Sequence, residues 1–286
     1  MWRNSDSTHM TTEPVASTRN GHVLILMYHE VSARERIAEM SKVTSSVLDA
    51  AAFAQQMDWL VANKLPTVSL GKAGAVQAGS PHAAAAKVVL SFDDGYIGNF
   101  CNAFSTLMDK GLAGTFFVAT GLVGKRHMMT WRHIREMSDH GMQIGSHTVT
   151  HRFLGRLARD EVAYELEHSK KSIEDRIGKS VEYVSLPYGS YNRGYRAEAV
   201  RAGYAGGASS LPGVNTGDTD PFFLKRMPIP TDASLDYFIS LCAFKRSVYL
   251  RRALRHNVTS TVKMILGEAR YLGIYQKIRG IDDSWS

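Results

Sequence analysis

Apolar residues recur along this chain in short unbroken runs, separated by longer stretches where they fall every three or four positions. Residues 23–27, 87–92 and 115–119 carry such runs (Val23-Leu-Ile-Leu-Met27, Val88-Val-Leu90, Phe116-Phe-Val-Ala119). They are too short for helices and are predicted as strands buried on both faces. Further strands are predicted over 143–146, 181–186 and 222–229, and a short one over 67–70. Between them, residues 45–61 place Phe53, Met57, Leu60 and Val61 on one helical face. Helices are also predicted over 97–110 (ended by Gly111), 130–140 (capped by Thr130, stopped by Gly141), 159–177 (ended by Gly178) and 193–202 (before Gly203). Residues 71–86 are small and soft and read as a surface connection. Strand and helix alternating at short spacing predict an α/β domain with a mainly parallel sheet. Seven or eight such units allow a barrel, with its functional residues where strands end and loops begin.

Composition changes this picture little: 44% of the residues are hydrophobic and 21% charged, as in a soluble globular protein. The two cysteines, Cys101 and Cys242, are too few for a disulfide framework or a thiolate zinc site, and they lean toward a reducing compartment. The first twenty residues are polar, and no apolar run approaches the roughly twenty residues of a membrane span. A cytoplasmic protein without signal peptide or anchor is therefore expected, possible contact being at the inner membrane face. Three regions are expected: a disordered tail over 1–20, the barrel domain over 21–234 and a basic helical extension over 235–286.

Charge sharpens the last boundary. Of the formal net charge of +7, residues 235–279 contribute nine Lys/Arg against two Asp/Glu, so the rest of the chain is neutral. Lys245, Arg246, Arg251, Arg252 and Arg255 form a dense cluster on a segment with helical apolar spacing through Phe238, Leu241, Val248, Leu254, Val258, Val262, Ile265 and Leu272. Its ordinary reading is a solvated face on a helix that packs on the barrel by its other side. The competing reading is peripheral contact with an anionic membrane surface. Nucleic acid is not expected, since no recognition motif accompanies the charge.

Three clusters, each after a predicted strand, carry candidate chemistry. In Phe92-Asp-Asp-Gly95, glycine breaks the strand, so both carboxylates can turn into one pocket, one to hold a metal and one to take a proton. In Ser146-His-Thr-Val-Thr-His151, two histidines four apart on a helical turn can grip one ion. In Ser185-Leu-Pro-Tyr-Gly189, a sharp turn can aim a backbone N–H, such as that of Tyr188, at a developing oxyanion. Alone, the first and third are ordinary turns. Together, two His and one Asp make a ligand set for zinc or a similar divalent ion, with a spare Asp beside it.

These three motifs, in this order, resemble the polysaccharide deacetylase family (NodB homology, carbohydrate esterase family four). With the Leu26-Met-Tyr-His29 opening, the chain is most similar to the poly-N-acetylglucosamine deacetylase branch, over residues 23–230. The resemblance implies a distorted (β/α) barrel of about seven strands and de-N-acetylation of an N-acetylated glycan or glycolipid, with release of acetate. It implies a divalent cofactor, zinc first, with cobalt, nickel or manganese as alternatives. It implies Asp94, His147 and His151 as ligands, Asp93 as catalytic base and the Tyr188 N–H as oxyanion donor. Pro187 and Gly189 shape that turn, and Trp131 stands where it could pack on a sugar ring or in the core.

The chain departs from the family pattern at three places. Many relatives carry Arg where this chain has Ser185, and Arg226 is the candidate to replace it. The late Leu-x-His segment that supplies the general acid is missing, and the Met-Tyr-His branch implies His29 in its place. Gln143 stands where relatives often carry Glu and is expected no nearer than the ligands' own partners. Two other functions remain open from sequence: hydrolysis of a non-sugar amide such as a cyclic ureide or imide, and glycan binding by a degenerate, non-catalytic barrel.

Overall fold

The computed structural model describes residues 21–77, 87–267 and residues 270, 273, 274 and 277. The expected tail 1–20, most of the 71–86 connection and most of the chain after residue 267, including Leu272, lie outside the described residues. Seven strands form one parallel sheet in the order β8-β7-β6-β5-β4-β1-β9. They are β1 (Val23–Tyr28), β4 (Lys87–Phe92), β5 (Thr115–Val118), β6 (Gln143–Ser146), β7 (Tyr183–Ser185), β8 (Gly206–Ala208) and β9 (Met227–Pro228). A separate pair, β2 (Glu30–Ser32) and β3 (Val47–Asp49), follows β1. The sheet curls far enough that Leu224, three residues before β9, forms a parallel bridge to Ala208 of β8. The result is the distorted α/β barrel expected from sequence.

Both faces of the sheet are buried, and alternate residues go to different cores. Leu24, Leu26 and Tyr28 of β1, with Val88, Leu90 and Phe92 of β4, pack outward under the helices. Tyr28, Phe92 and Phe116 stack there, at 5.2 and 4.5 Å between ring centres. Val23, Ile25, Val89, Phe117, Tyr183 and Leu224 form a second, smaller core. Farther along the same strand faces the residues are polar: Ser91 and Asp93 follow Val89, and Ser185 follows Tyr183.

The helices fall near their predicted places, with corrections at the ends. The first long one is Ala50–Ala62, not 45–61, because Asp49 caps it by accepting from the Ala51 N–H and residues 47–49 are spent on β3. Its Val61 is exposed, unlike Phe53, Met57 and Leu60. Residues 67–70 make one bridge, Thr67 to Val88, instead of a strand, and a helix starts at Leu70. The 97–110 helix begins as a π-helical turn, Asn99–Phe104, and continues as Ser105–Asp109. Trp131–Asp139 and Arg159–Ile177 are as predicted, the latter ended by Gly178 in the left-handed conformation. The 193–202 helix shortens to Tyr195–Arg201. The expected 222–229 strand is only Met227–Pro228, preceded by a 3-10 turn at Pro221–Phe223, since Pro221 and Pro228 lack ladder donors.

After the barrel, Leu235–Cys242 buries Phe238, Leu241 and Cys242 and packs against Ala50–Ala62. The helix Arg246–Leu266 follows. Arg252 anchors its first half, donating to the Pro228 carbonyl and the Tyr237 hydroxyl. Beyond that, Leu250, Leu254, Val258, Val262 and Leu266 are exposed, Leu254 by 66% and Val258 by 64%. Phe238, Leu241 and Val248 pack on the core, as the ordinary reading of the segment expects, whereas this exposed stripe, at every fourth residue, does not. No helix among the described residues is long and apolar enough to cross a membrane.

Candidate active site

The strand register alone brings the candidate residues to one edge of the sheet. Tyr28 of β1 lies opposite Phe92 of β4, so the next residues, His29 and Asp93, leave the sheet side by side. Val118 of β5 pairs with Ser146 of β6 and Ser146 with Val184 of β7, so His147 and Ser185 emerge together. All sit at the carboxyl ends of parallel strands, where barrel chemistry gathers.

Asp94 has a left-handed backbone (φ 72°), as does Gly95 after it (φ 89°), and this double turn keeps two consecutive carboxylates inside. Both are buried. Asp94 Oδ1 lies 3.2 Å from the Nε2 atoms of both His147 and His151. Two ligands about 2 Å from a common centre at the tetrahedral angle would be about 3.3 Å apart. One ligand atom from each of the three residues lies within 4.8 Å of the others. His147 Nδ1 donates to the Ser185 carbonyl at 2.8 Å, which leaves its Nε2 lone pair facing Asp94. This donor set fits a divalent cation with coordination positions to spare.

The two histidines do not share a helical turn. The segment between them is irregular, with Thr148 (φ 66°) and His151 (φ 57°) both left-handed. The imidazoles still converge, at 4.8 Å between ring centres.

Asp93 has a different partner. Arg226, fully buried, forks onto it: Nη1 to Oδ1 and Nη2 to Oδ2, each 2.8 Å. Ser185 Oγ donates to Asp93 Oδ2 and accepts from Arg226 Nη2, at 3.1 and 2.9 Å. Arg226 Nε donates to the Ser209 carbonyl. The guanidinium thus occupies the space beside Ser185. The barrel seam sets its place, because Leu224 bonds to β8 and Met227 to β1 on either side of it. Burial alone would push both carboxyls up. The Arg226 guanidinium, then His147, bring Asp93 below its ordinary value, and His151 and His147 hold Asp94 well below it. His29, half-buried, pulls both the same way, so it stands within electrostatic reach of the pair. Burial opposes a charged His147, but the Asp93 and Asp94 carboxylates outweigh it and raise that imidazole.

Tyr188 sits in the 3-10 turn Pro187–Gly189 with φ 58°. Its ring stacks on Phe153 at 4.1 Å and tilts against His151 at 4.8 Å, leaving it 40% exposed at the rim. Gly189 (φ +67°) must be glycine, since a Cβ there would meet Ser210 Cβ at 2.8 Å. Trp131 is elsewhere: its ring lies under the Arg176 guanidinium at 5.3 Å, in a groove shared with Arg132, Arg135 and Glu136. Gln143 is at the opposite end of β6, accepting from the Gly71 N–H and the Thr115 hydroxyl, so it is no partner of the ligands.

Three residues escaped sequence reasoning. Glu30, fully buried one residue after His29, accepts from the Gly98 N–H and the Ser32 hydroxyl, and burial pushes its carboxyl to about 7. Tyr96 lies close enough to Asp94 that, after burial, this carboxylate is the next cause of its raised phenol. Glu165 grips the loop between the two histidines. In Glu165 the signal was available: a carboxylate on the inward face of an amphipathic helix.

Residues 81–207 match the family described as polysaccharide deacetylase. The chain is 28% identical over 205 residues to YxkH of Bacillus subtilis (strain 168), covering 72% of this chain and 70% of that protein. It is 29% identical over 119 residues to the peptidoglycan-N-acetylmuramic acid deacetylase PdaA of the same strain, covering 41% of this chain and 44% of that protein, less than half its length. The fold is shared with the Streptococcus pyogenes deacetylase PplD solved in complex with acetate: TM-score 0.70 and 22% identity over 78% of this chain and 98% of that one.

Proposed function

We propose, from the match of residues 81–207 to the polysaccharide deacetylase family and the likeness to YxkH, that the chain hydrolyses the N-acetyl group of an amino-sugar glycan, releasing acetate, with a divalent cation, zinc first, held by Asp94, His147 and His151. The observation that carries this reading is the meeting of two carboxylates with separate partners: Asp94 on two imidazoles, Asp93 on an arginine fork. Environments that divide two adjacent acids in this way assign them different roles.

A cation bound there would polarise the acetamide carbonyl and acidify the attacking water. Asp93, kept ionised by Arg226 and oriented by Ser185, takes a proton from that water. Arg226 is a positioning residue, which fixes both oxygens of the base and repays part of the desolvation of a buried carboxylate. The Tyr188 backbone N–H, in the tight Pro187–Gly189 turn, donates to the oxyanion. His29 gives a proton to the departing amine. Pro187 and Gly189 fix the Tyr188 turn. The Tyr188 and Phe153 rings offer an aromatic rim to apolar sugar faces, whereas Trp131 has a packing role against Arg176.

The test is acetate release from N-acetylglucosamine oligomers by protein stripped with chelator and then given back zinc or cobalt. Activity is expected only after restoration, and full activity in the stripped sample would refute the metal role. Ring opening of a cyclic ureide with no acetate from any N-acetylated glycan would move the substrate class instead.

The extension is proposed to rest on an anionic lipid surface, at the inner membrane face if the protein is cytoplasmic. Supporting this are the exposed stripe Leu250–Leu254–Val258 and a helix with five Lys/Arg and no Asp/Glu over 246–266. Co-sedimentation with phosphatidylglycerol vesicles, lost on Leu254→Ser with Val258→Ser, is the expected result. Equal binding of that variant would exclude it.

A further inference from the structure

The loop that carries both histidine ligands is built of residues poorly suited to it. Thr148 is β-branched and His151 is bulky, yet both hold φ near +60°, a conformation that costs about 1 kcal/mol or more per non-glycine residue. Something outside the loop must over-determine it. Two backbone contacts come from the β5 side, where the Thr120 and Gly121 N–H groups donate to the Thr148 and Val149 carbonyls at 3.1 and 2.8 Å. The Val149 and Thr150 N–H groups of the loop are taken from the other side by one helix, Arg159–Ile177.

On that helix the buried residues are Val162, Glu165, Leu166, Ser169, Ile173 and Ile177. The spacing is that of an apolar stripe, but two of its positions are polar, one turn apart. Glu165, only 2% exposed, accepts from the N–H of Val149 at 2.7 Å and the N–H of Thr150 at 2.9 Å, and from the Thr150 hydroxyl. Ser169 meets Ser146 Oγ at 2.7 Å, and Ser146 Oγ accepts from the Thr148 N–H at 3.1 Å. Glu165 therefore holds two successive N–H groups of the loop, at 149 and 150, while Ser146, backed by Ser169, holds the one at 148. Thr148 Oγ1 in turn accepts from the N–H of His151 at 3.2 Å. A buried carboxylate is the strongest acceptor available for this, since charge-assisted bonds are roughly twice as strong as neutral ones. An apolar side chain at 165 would pack equally well against the helix's neighbours and leave two loop N–H groups without an acceptor.

We propose that Glu165 is a positioning residue for the metal ligands: by gripping the Val149 and Thr150 amides it holds the left-handed loop that makes the His147 and His151 imidazoles converge on Asp94. The inference rests on the metal reading above and reaches beyond it, because Glu165 touches neither ion nor substrate. Its effect is on the geometry and affinity of the site, not on the proton transfers.

The experiment is a cobalt(II) titration followed by visible absorption, with circular dichroism of the metal-free protein alongside. Glu165→Met is of similar length but leaves the Val149 and Thr150 N–H groups, both of which bond Glu165 Oε2, without an acceptor. It is expected to weaken cobalt binding about 10- to 100-fold, the usual effect of losing an outer-shell partner, and to alter the absorption bands. Thr150→Val removes only one of the three donors and should weaken binding less, with an intact fold. Glu174→Gln is the control, because Glu174 on the same helix bonds the Val181 N–H and Lys170 and has no contact with the loop. It should leave cobalt affinity within about twofold, well inside the variant effect. If the unaltered protein takes up no cobalt, the metal reading fails. If it does, and Glu165→Met binds with the same affinity and spectrum, the Glu165 inference is overturned. Should Glu165→Met fail to fold, unchanged affinity in Thr150→Val overturns it instead.

Discussion

The two ends of the barrel are made from the same strands and differ in almost every physical respect. At the amino end the side chains that bond one segment to the next are neutral. The Thr115 hydroxyl accepts from the Leu70 N–H and donates to Gln143, Gln143 accepts from Gly71, and Thr67 accepts from Ala113. Above them lies the apolar core of Val23, Ile25, Val89 and Phe117. At the carboxyl end lie buried Asp93, Asp94, Glu30 and His147, joined by Arg226 from the segment just before β9, with left-handed backbone at Asp94, Thr148, His151 and Tyr188. One end closes the fold with inexpensive neutral bonds. The other concentrates charge and backbone strain, both of which the remainder of the structure must support. The comparison teaches that, of these two ends, the chain gathers buried charge and left-handed backbone at the one where its candidate chemistry lies.

The comparison is broken most decisively at Asp93. Asp93→Asn keeps the shape of the Arg226 pocket and removes the proton acceptor. Acetate release is expected to fall by about 10³-fold or more, near the upper range for a general base, with cobalt uptake retained. Loss of cobalt along with activity would merge Asp93 into the ligand set and erase the division of roles.

Arg226→Gln comes next. It strands a carboxylate in a buried site, a change that typically costs about 3–5 kcal/mol. In the unaltered protein Asp93 titrates below its ordinary value, so its stabilising contribution is present above the unfolded carboxylate's pKa and is lost as pH falls through the lower, folded one. Without Arg226, burial wins and the Asp93 carboxyl rises. The acid limb of kcat/KM should therefore move to higher pH, and the variant's stability deficit should shrink on acidification. An unmoved acid limb would mean that another group titrates there.

Glu30 probes the same edge in the opposite sense. Its carboxyl lies at about 7 in the fold against an ordinary 4.5. The folded state keeps a proton that the unfolded chain releases, so stability is fullest below about 4.5 and falls as pH rises through 7. Glu30→Gln removes this fall. Urea melts should show the variant gaining on the parent between pH 5 and pH 8, by up to roughly 3 kcal/mol. A gain independent of pH would show that Glu30 does not titrate in that window.

At the amino end the expected effect is the smallest and purely structural. Thr115→Val leaves the Leu70 N–H without its acceptor and should cost about 1–3 kcal/mol in a denaturant melt, with cobalt affinity and acetate release unchanged. A change in activity would show that the two ends are coupled.

How much could be read in advance follows the physics of each element. Strands β1, β4 and β5 were legible because burial on both faces writes a continuous apolar run. β8 was not, because Gly206-Gly-Ala208 offers almost no side chain to pattern, and β2 and β3 are three residues each. Asp93, Asp94, His147 and His151 were legible as residue types at telling spacings. Their geometry was not, since the histidine spacing suggests a helical turn while the loop is a left-handed bend held by distant acceptors. Arg226 could be named as a candidate for the space beside Ser185. Its fork on Asp93 depends on a seam closed by Leu224 and Met227, which no local pattern announces.

Sequence alone determined the longer helices, the apolar strands, the basic balance of the extension and the residue types that meet at one edge, because hydrophobic period, turn residues and charge are local properties. Only the tertiary structure decided which carboxylate faces the imidazoles and which faces the guanidinium, that Trp131 and Gln143 stand apart from the site, and that Glu165 reaches the histidine loop. Those outcomes turn on distances between residues 15 to 133 positions apart, and a buried charge is stable only beside the partner that the whole fold brings to it.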